Sequence, residues 1–316
     1  MPELSVVIPT YNRASALGRC LATLYKQSLP KDAYEVIVVV DGSTDETQAV
    51  LESQPEGCTP RVVWQENRGP GAARNAGVES ARGEVCVFVD DDVLADEHLL
   101  ATHLRRQRES SGVVGIGTLQ VDADGASCGL ARYLLRWLSG ARRQLEQGLR
   151  APTYTDCWSG NLSVARRAFL DAGGFATDLP RYEDLDLGYR LQAAGLRLEF
   201  WPDARGREDF GKSFESIARD LTQAGIASVM LARREPGIIE ELPLGRYAGP
   251  GTLTLLARRL LLAAGMPTGV LSRMSTVFDR TPWEERWYSF LVDYFYWRGV
   301  KAAADRGTWT KLTACR

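Results

Sequence analysis

The sequence predicts an α/β fold: a mostly parallel central sheet flanked by helices, with a C-terminal helical extension. Three observations carry this expectation. Short apolar runs at residues 4–9, 35–40, 61–65 and 85–89 alternate with stretches whose apolar residues recur every three or four positions, the pattern of βαβ units with right-handed crossovers. The runs are apolar throughout, as in strands covered on both faces. Each run ends in polar residues, and in open α/β sheets ligands bind outside the carboxyl ends of the strands.

The elements follow in order. After the first strand, Asn12 opens a helix whose Leu17, Cys20, Leu21 and Leu24 form a buried face. The second strand delivers Asp41-Gly42-Ser43-Thr44-Asp45, where Ser43 and Glu46 stand at capping-box spacing. The helix beyond should start there and run to about Glu52. The third strand leads into Asn67-Arg68-Gly69-Pro70-Gly71-Ala72-Ala73-Arg74 and a helix that Gly83 stops. The fourth ends at Asp90-Asp91-Asp92, and a helix over 98–108 follows. Residues 112–121 and 196–201 read as further strands, and 131–147, 166–172 and 184–194 as helices. From about Phe214 the pattern is helical, with a Pro and Gly linker at 243–251. Residues 1–213 are thus expected to form one domain and 214–316 a helical extension.

With 38 basic and 40 acidic residues, the chain lacks the basic excess of a nucleic-acid binder. Six scattered cysteines without C-x-x-C pairs read as reduced cytoplasmic thiols with no zinc site. The N-terminus shows no secretory signal, and no apolar stretch reaches the ~20 residues of a membrane span. The basic side of the 131–147 helix (Arg132, Arg136, Arg142, Arg143) reads as a solvated face, or as a seat for an acidic or lipid-linked partner. Trp283, Trp287, Phe290, Tyr294 and Trp297 form an aromatic stripe that reads as core, with sugar stacking or a membrane interface as alternatives.

The chemistry centres on the triplet. Three carboxylates at one strand end repel one another, and a hard divalent cation such as Mn2+ or Mg2+ would relieve the repulsion. The bland alternative is an acidic turn that caps the next helix. Only two histidines exist, His98 and His103, so neither a Ser-His-Asp relay nor an H-E-x-x-H site has material. A base must come from Asp, Glu, Cys or Lys. Glu183 and Asp184 open a helix beside Tyr182, where they could equally be caps. The glycines at 69 and 71 follow the third strand with Arg74 in place of the third glycine, which excludes a nicotinamide fingerprint.

Taken together, Val6-Val7-Ile8-Pro9-Thr10-Tyr11-Asn12-Arg13, Asp41 to Asp45, Asn67 to Gly77, the triplet, Ser159-Gly160-Asn161, Gly173-Gly174-Phe175 and Glu183-Asp184-Leu185-Asp186 resemble the family 2 glycosyltransferases of the GT-A, Rossmann-like fold. The resemblance covers about residues 4–210. It implies a metal-dependent inverting glycosyltransferase using a nucleotide-diphosphate sugar, UDP before GDP or dTDP. Pro9, Thr10, Tyr11, Arg13, Asp41, Asn67, Gly71, Arg74, Asp90 and Asp91 would bind the donor. Asp92 would hold Mn2+ or Mg2+, Asp184 would be the general base with Glu183 or Asp186 as substitutes, and Trp158, Gly160, Asn161 and Asp186 would face the acceptor.

One departure stands out. Many relatives carry a metal-binding histidine after a proline-acid-alanine stretch, but Pro202-Asp203-Ala204 is followed here by Arg205, Gly206, Arg207 and Glu208. Glu208 or Asp209 could replace that ligand, or Asp92, phosphates and water alone could hold the metal. The acceptor, a carbohydrate, lipid-linked molecule, peptide or small molecule, stays open. So do a peripheral contact with the inner membrane face and a homo-oligomer. The competing readings are a sugar nucleotidyltransferase, which would want a Gly-rich basic loop after the first strand, and a catalytically silent nucleotide-sugar-binding scaffold.

Overall fold

The computed structural model describes residues 1–55, 59–246 and 252–314. Cys58, Cys315 and part of the 243–251 linker lie outside them. Along the chain run β1 (Leu4–Thr10), α1 (Ala14–Leu24), β2 (Tyr34–Asp41), α2 (Thr47–Glu52), β3 (Arg61–Gln65), α3 (Pro70–Ser80), β4 (Val85–Val89), β5 (Val93–Ala95), α4 (Leu99–Glu109) and β6 (Val113–Val121). Then come α5 (Gly129–Glu146), β7 (Asn161–Ala165), α6 (Arg166–Asp171), α7 (Glu183–Ala193) and β8 (Arg197–Glu208). The remaining helices are α8 (Phe214–Arg234), α9 (Thr252–Ala264), α10 (Thr268–Ser275), α11 (Glu284–Ala303) and α12 (Arg306–Ala314). The chain divides into two compact units. The first holds Met1–Asp122, Leu138–Asp178 and Glu183–Phe210; the second holds Ala123–Trp137, Leu179–Tyr182 and Gly211–Arg316. The second therefore draws on two stretches that lie before residue 214.

The first unit contains one eight-stranded sheet in the order β3-β2-β1-β4-β7-β6-β8-β5. β1 pairs in parallel with β2 and β4, as do β2 with β3 and β6 with β8. β7 lies antiparallel between β4 and β6, and β5 antiparallel to β8. All strands but β5 and β7 consequently point the same way, and one edge of the sheet collects their carboxyl ends. Alternation explains the unbroken apolar runs: Val6, Ile8, Val38, Val40 and Val87 pack with Leu17, Leu21 and Leu100, whereas Val7, Val39 and Phe88 pack with Phe169, Phe175 and Leu187.

Two local expectations change. Asn12 does not cap α1; it sits at φ 51, and its side chain accepts from the Thr44 N–H at 2.7 Å. The first N–H of α1, from Ala14, goes instead to Asp45 Oδ2 at 2.9 Å. Nor does Ser43 form a capping box, because its hydroxyl accepts from the Asn12 N–H at 2.9 Å. These bonds tie the loops after β1 and β2 to each other.

β8 is twice as long as its apolar run suggests. Gly117 of β6 pairs with Trp201, but Thr118 pairs with Arg205, so residues 202–204 loop out and the strand resumes. Pro202 is tolerated because a bulge asks for no ladder hydrogen bond there. A buried polar chain holds the crossing. Asn161 donates to the carbonyls of Thr118 at 3.2 Å and Ala204 at 2.9 Å. Its Oδ1 must then accept from His103 Nε2 at 2.8 Å, which leaves Nδ1 to accept from Ser163 Oγ at 2.8 Å. A Cβ on Gly117 would overlap the Asn161 amide, so only glycine fits beneath it.

Burial pushes His103 down to about 4 from its ordinary 6.5, despite the bond to Asn161. The unfolded chain takes up this proton first as pH falls, so stability is full above pH 6.5 and is lost progressively towards pH 4. Urea titrations should show the wild type losing about 2 kcal/mol between roughly pH 7 and 5 through this group, a dependence absent from His103→Gln. A His103 ring resonance that titrates near pH 6.5 would overturn this.

In the second unit α8 and α11 meet through glycine. A Cβ on Gly225 would overlap the Tyr296 carbonyl, and one on Gly299 the Thr222 carbonyl. Backbone cannot step aside as a side chain can. Gly299→Ala should therefore lose about 1–3 kcal/mol by overpacking, outweighing the ~1 kcal/mol that alanine adds to helix propensity; a melting temperature at or above wild type refutes this. The aromatic stripe is core: Tyr294 and Trp297 are buried, and Phe278 stacks on Trp287 at 4.5 Å. Trp283 alone in the stripe is largely exposed, at 59%. No helix among the described residues is long and apolar enough to cross a membrane.

Candidate active site

Every residue of the site lies in the first unit, along the carboxyl edge of its sheet. Asp41 ends β2, is buried, and accepts from Gln65 Nε2 at 2.7 Å and from the N–H groups of Arg68 at 2.8 Å and Gly69 at 2.9 Å. Three of its roughly four lone-pair positions are taken, which fixes the turn before α3 and leaves one for a ligand. Asn67 is exposed and approaches Gly42, whose Cβ would stand 2.8 Å from the Asn67 nitrogen. Pro9 is half-buried, Thr10 buried and Tyr11 exposed.

Two arginines offset part of the triplet's charge. Arg13 Nη1 lies 2.9 Å from Asp91 Oδ1, and Nη2 lies 2.6 Å from Asp92 Oδ2. Thr10 donates to the other Asp91 oxygen at 2.8 Å. Burial pushes Asp91 up to about 7 against the pull of Arg13 and Thr10. Arg74, buried in α3, places Nη2 at 2.6 Å from Asp90 and Nη1 at 3.0 Å from Glu183, with its guanidinium over Phe175 at 5.5 Å. Burial opposes the Arg74 charge, but Asp90 and Glu183 overcome it and raise the pKa. Gly71 lets Arg74's helix start close to this point: its Cβ would stand 3.1 Å from the Ala176 carbonyl and 3.5 Å from Glu183 Cγ.

Asp184 is half-buried at the start of α7. Its Oδ1 accepts from the Leu185 N–H at 2.8 Å, and its Oδ2 lies 3.4 Å from the Ser159 nitrogen. Antiparallel pairing sets Asn161 opposite Val89, which brings the preceding residues to the triplet: a Cβ on Gly160 would stand 3.1 Å from Asp90 Oδ2. Trp158 is half-buried beside them. Pairing of Val93 with Glu208, and a 2.9 Å bond from the Asp209 N–H to the Asp92 carbonyl, bring the end of β8 to the triplet as well.

Two expected acceptor residues are not in the site. Asn161 is 1% exposed and its amide is consumed by the β6–β8 crossing. Asp186 faces away into an ion pair with Arg190 at 2.6 Å, whose guanidinium also donates to the carbonyls of Ala172 and Gly174. It therefore cannot substitute for Asp184. Glu183 is held by Arg74 at 3.0 Å. Cys157, the thiol near Asp184, is buried and its pKa is raised by that burial and by Asp184, so it is no base.

Among the described residues, no three His, Cys, Asp or Glu side chains form a protein-only metal cage. The donors at the triplet are nonetheless all carboxylate oxygens, the set that suits Mn2+ or Mg2+ when phosphates and water complete the coordination. The residues fit a cation shared with a diphosphate.

Residues 5–172 match the family model for glycosyl transferase family 2. The chain belongs to that family. Among its relatives is validoxylamine A glucosyltransferase of Streptomyces hygroscopicus subsp. jinggangensis, 31% identical over 276 residues, which cover 77% of this chain and 63% of that protein. This family 2 chain thus spans less than two thirds of that relative's length. Poly(ribitol-phosphate) beta-glucosyltransferase of Bacillus spizizenii is 35% identical over 122 residues, 37% of this chain and 19% of that protein. Two solved structures share the fold. The mannosyltransferase PcManGT of Pyrobaculum calidifontis, in complex with GDP-Man and Mn2+, superposes with a TM-score of 0.65 at 21% identity over 97% of this chain and 88% of that one. Residues 1–349 of TarS from S. aureus, in complex with UDP-GlcNAc, give a TM-score of 0.53 at 18% identity over 96% of this chain and 91% of that one. The fold expected for the family 2 chain is the GT-A fold of these neighbours.

Proposed function

We propose that this chain transfers a sugar from a nucleotide-diphosphate sugar to an acceptor hydroxyl with inversion at the anomeric carbon. One observation carries the reading: the Arg74 guanidinium spans Asp90 and Glu183, so the acidic end of β4 and the start of α7 face one space. Donor and base ends of the reaction then lie within reach of one bound molecule.

Asp41, Tyr11 and Pro9 receive the base, Asp90 the ribose, and Arg13 and Arg74 the diphosphate. Asp92, with Asp91 beside it and Glu208 on the adjoining strand end, would hold Mn2+ or Mg2+; when bound, the ion compensates the charge of the departing diphosphate as a Lewis acid. Asp184 takes the proton of the acceptor hydroxyl. Its position in the first turn of α7 favours the charged carboxylate before the reaction, and the Leu185 and Ser159 N–H groups orient it. The hydroxyl oxygen lone pair forms the new bond to the anomeric carbon as the bond to the β-phosphate oxygen breaks and its electrons leave with the diphosphate. One displacement inverts the centre, and positioning with electrostatics supplies most of the rate. Trp158 and Gly160 border the acceptor side.

Calorimetry with UDP, GDP and dTDP tests the reading. One of the three should bind, and more tightly with Mn2+ than without. Binding of none of them, with or without the ion, refutes it.

A further inference from the structure

Arg142 has no task in the scheme above. It lies on α5 and is only 6% exposed, while its neighbour Arg143 is exposed. The guanidinium donates to the Leu119 carbonyl, lies over the Trp158 ring at 5.1 Å and reaches Glu208 Oε2 only at 3.7 Å. Its Nε is buried and has no hydrogen-bond partner among the described residues. Burial lowers its pKa, with Glu208 opposing. A buried guanidinium with a long ion pair and an idle donor is costly unless an anion completes it.

Its surroundings say where that anion comes from. Leu119, whose carbonyl Arg142 holds, and Asp90 both border Gly160, at 3.2 and 3.1 Å from the place of a Cβ there. Trp158, under the guanidinium, directly precedes Ser159, whose nitrogen lies 3.4 Å from Asp184. Glu208 is paired across from Val93, the residue after Asp92. The segments that Arg142 touches therefore border both the triplet and Asp184. A planar fork of donors suits a phosphate better than the Glu208 carboxylate it now meets at 3.7 Å, with Glu146 the other acid acting on it.

We infer that Arg142 is a further catalytic residue of the proposed glycosyl transfer, binding the β-phosphate of the donor and stabilising the diphosphate as the sugar leaves. The inference rests on that reading of the site. Arg142 moves from its long contact with Glu208 to a phosphate oxygen, and no covalent step involves it.

The test compares diphosphate with monophosphate. Calorimetry with Mn2+ is run for UDP against UMP and GDP against GMP on the full chain. Arg142→Gln should weaken the diphosphate about tenfold or more while leaving the monophosphate within roughly twofold, the loss of one charge-assisted contact. Arg142→Lys, which keeps stem and charge but loses the fork, should fall between and carries the test if the glutamine variant does not fold. Arg143→Gln should match wild type. Unchanged diphosphate affinity in Arg142→Gln and Arg142→Lys, or equal losses for diphosphate and monophosphate, overturns the assignment. If the wild type binds none of these nucleotides, the glycosyl-transfer reading itself fails, and this inference with it.

Discussion

Asp184→Asn should bind the nucleoside diphosphate as the wild type does and lose about a thousandfold or more in turnover, within the range general-base removal costs. The amide keeps the shape, and its one oxygen can still accept from the Leu185 N–H that now holds Oδ1, while only the long 3.4 Å contact of Ser159 with Oδ2 loses its acceptor. It cannot take a proton. The fold has little stake in the change, because the buried ion pairing at the start of α7 belongs to Glu183 and Arg74. Calorimetry and turnover on the same preparation separate the outcomes: full turnover moves the base elsewhere, whereas lost binding would make Asp184 a donor residue.

Asp92→Ala is expected to abolish the tightening that Mn2+ gives to nucleoside diphosphate binding, an effect on the order of 100-fold if the ion is worth several kcal/mol there. The variant should remain folded. Arg13 retains Asp91 at 2.9 Å, and Thr10 keeps the other Asp91 oxygen, so no buried carboxylate is stranded. Equal affinity with and without Mn2+ in the variant, against a clear difference in the wild type, is the supporting result. Ion-dependent tightening that survives the substitution would refute the role.

The first half of the sheet was readable because β1, β2 and β4 are apolar on both faces, a pattern that composition alone reveals. The site's outline followed, since motifs at strand ends of a parallel sheet share an edge. β5 and β7 escaped notice for the opposite reason: they are short, antiparallel, and too brief for a period to register. Asn161 looked like a ligand because an amide suits a substrate as well as a backbone carbonyl, and only the folded chain shows which it serves. For Asp186 a signal existed, as Arg190 stands four residues on and the helical i,i+4 pairing predicts their bond. Arg142 was visible only as one of several basic residues on a helix. Its burial against Trp158 and Leu119 is tertiary and leaves no trace in spacing.

The three residues that leave the ladder between Trp201 and Arg205 have a consequence for how this chain tolerates change in length. They act as a counted spacer. Removing or adding one residue there would shift the frame of Arg205–Glu208 by one, and a strand's side chains swap faces with each such step. Glu208 would then point away from Arg142, and the Ala204 carbonyl would slip from the Asn161 amide that holds it at 2.9 Å. A surface loop of this size would ordinarily absorb an insertion; this one sets the phase of the strand end that borders the acidic triplet.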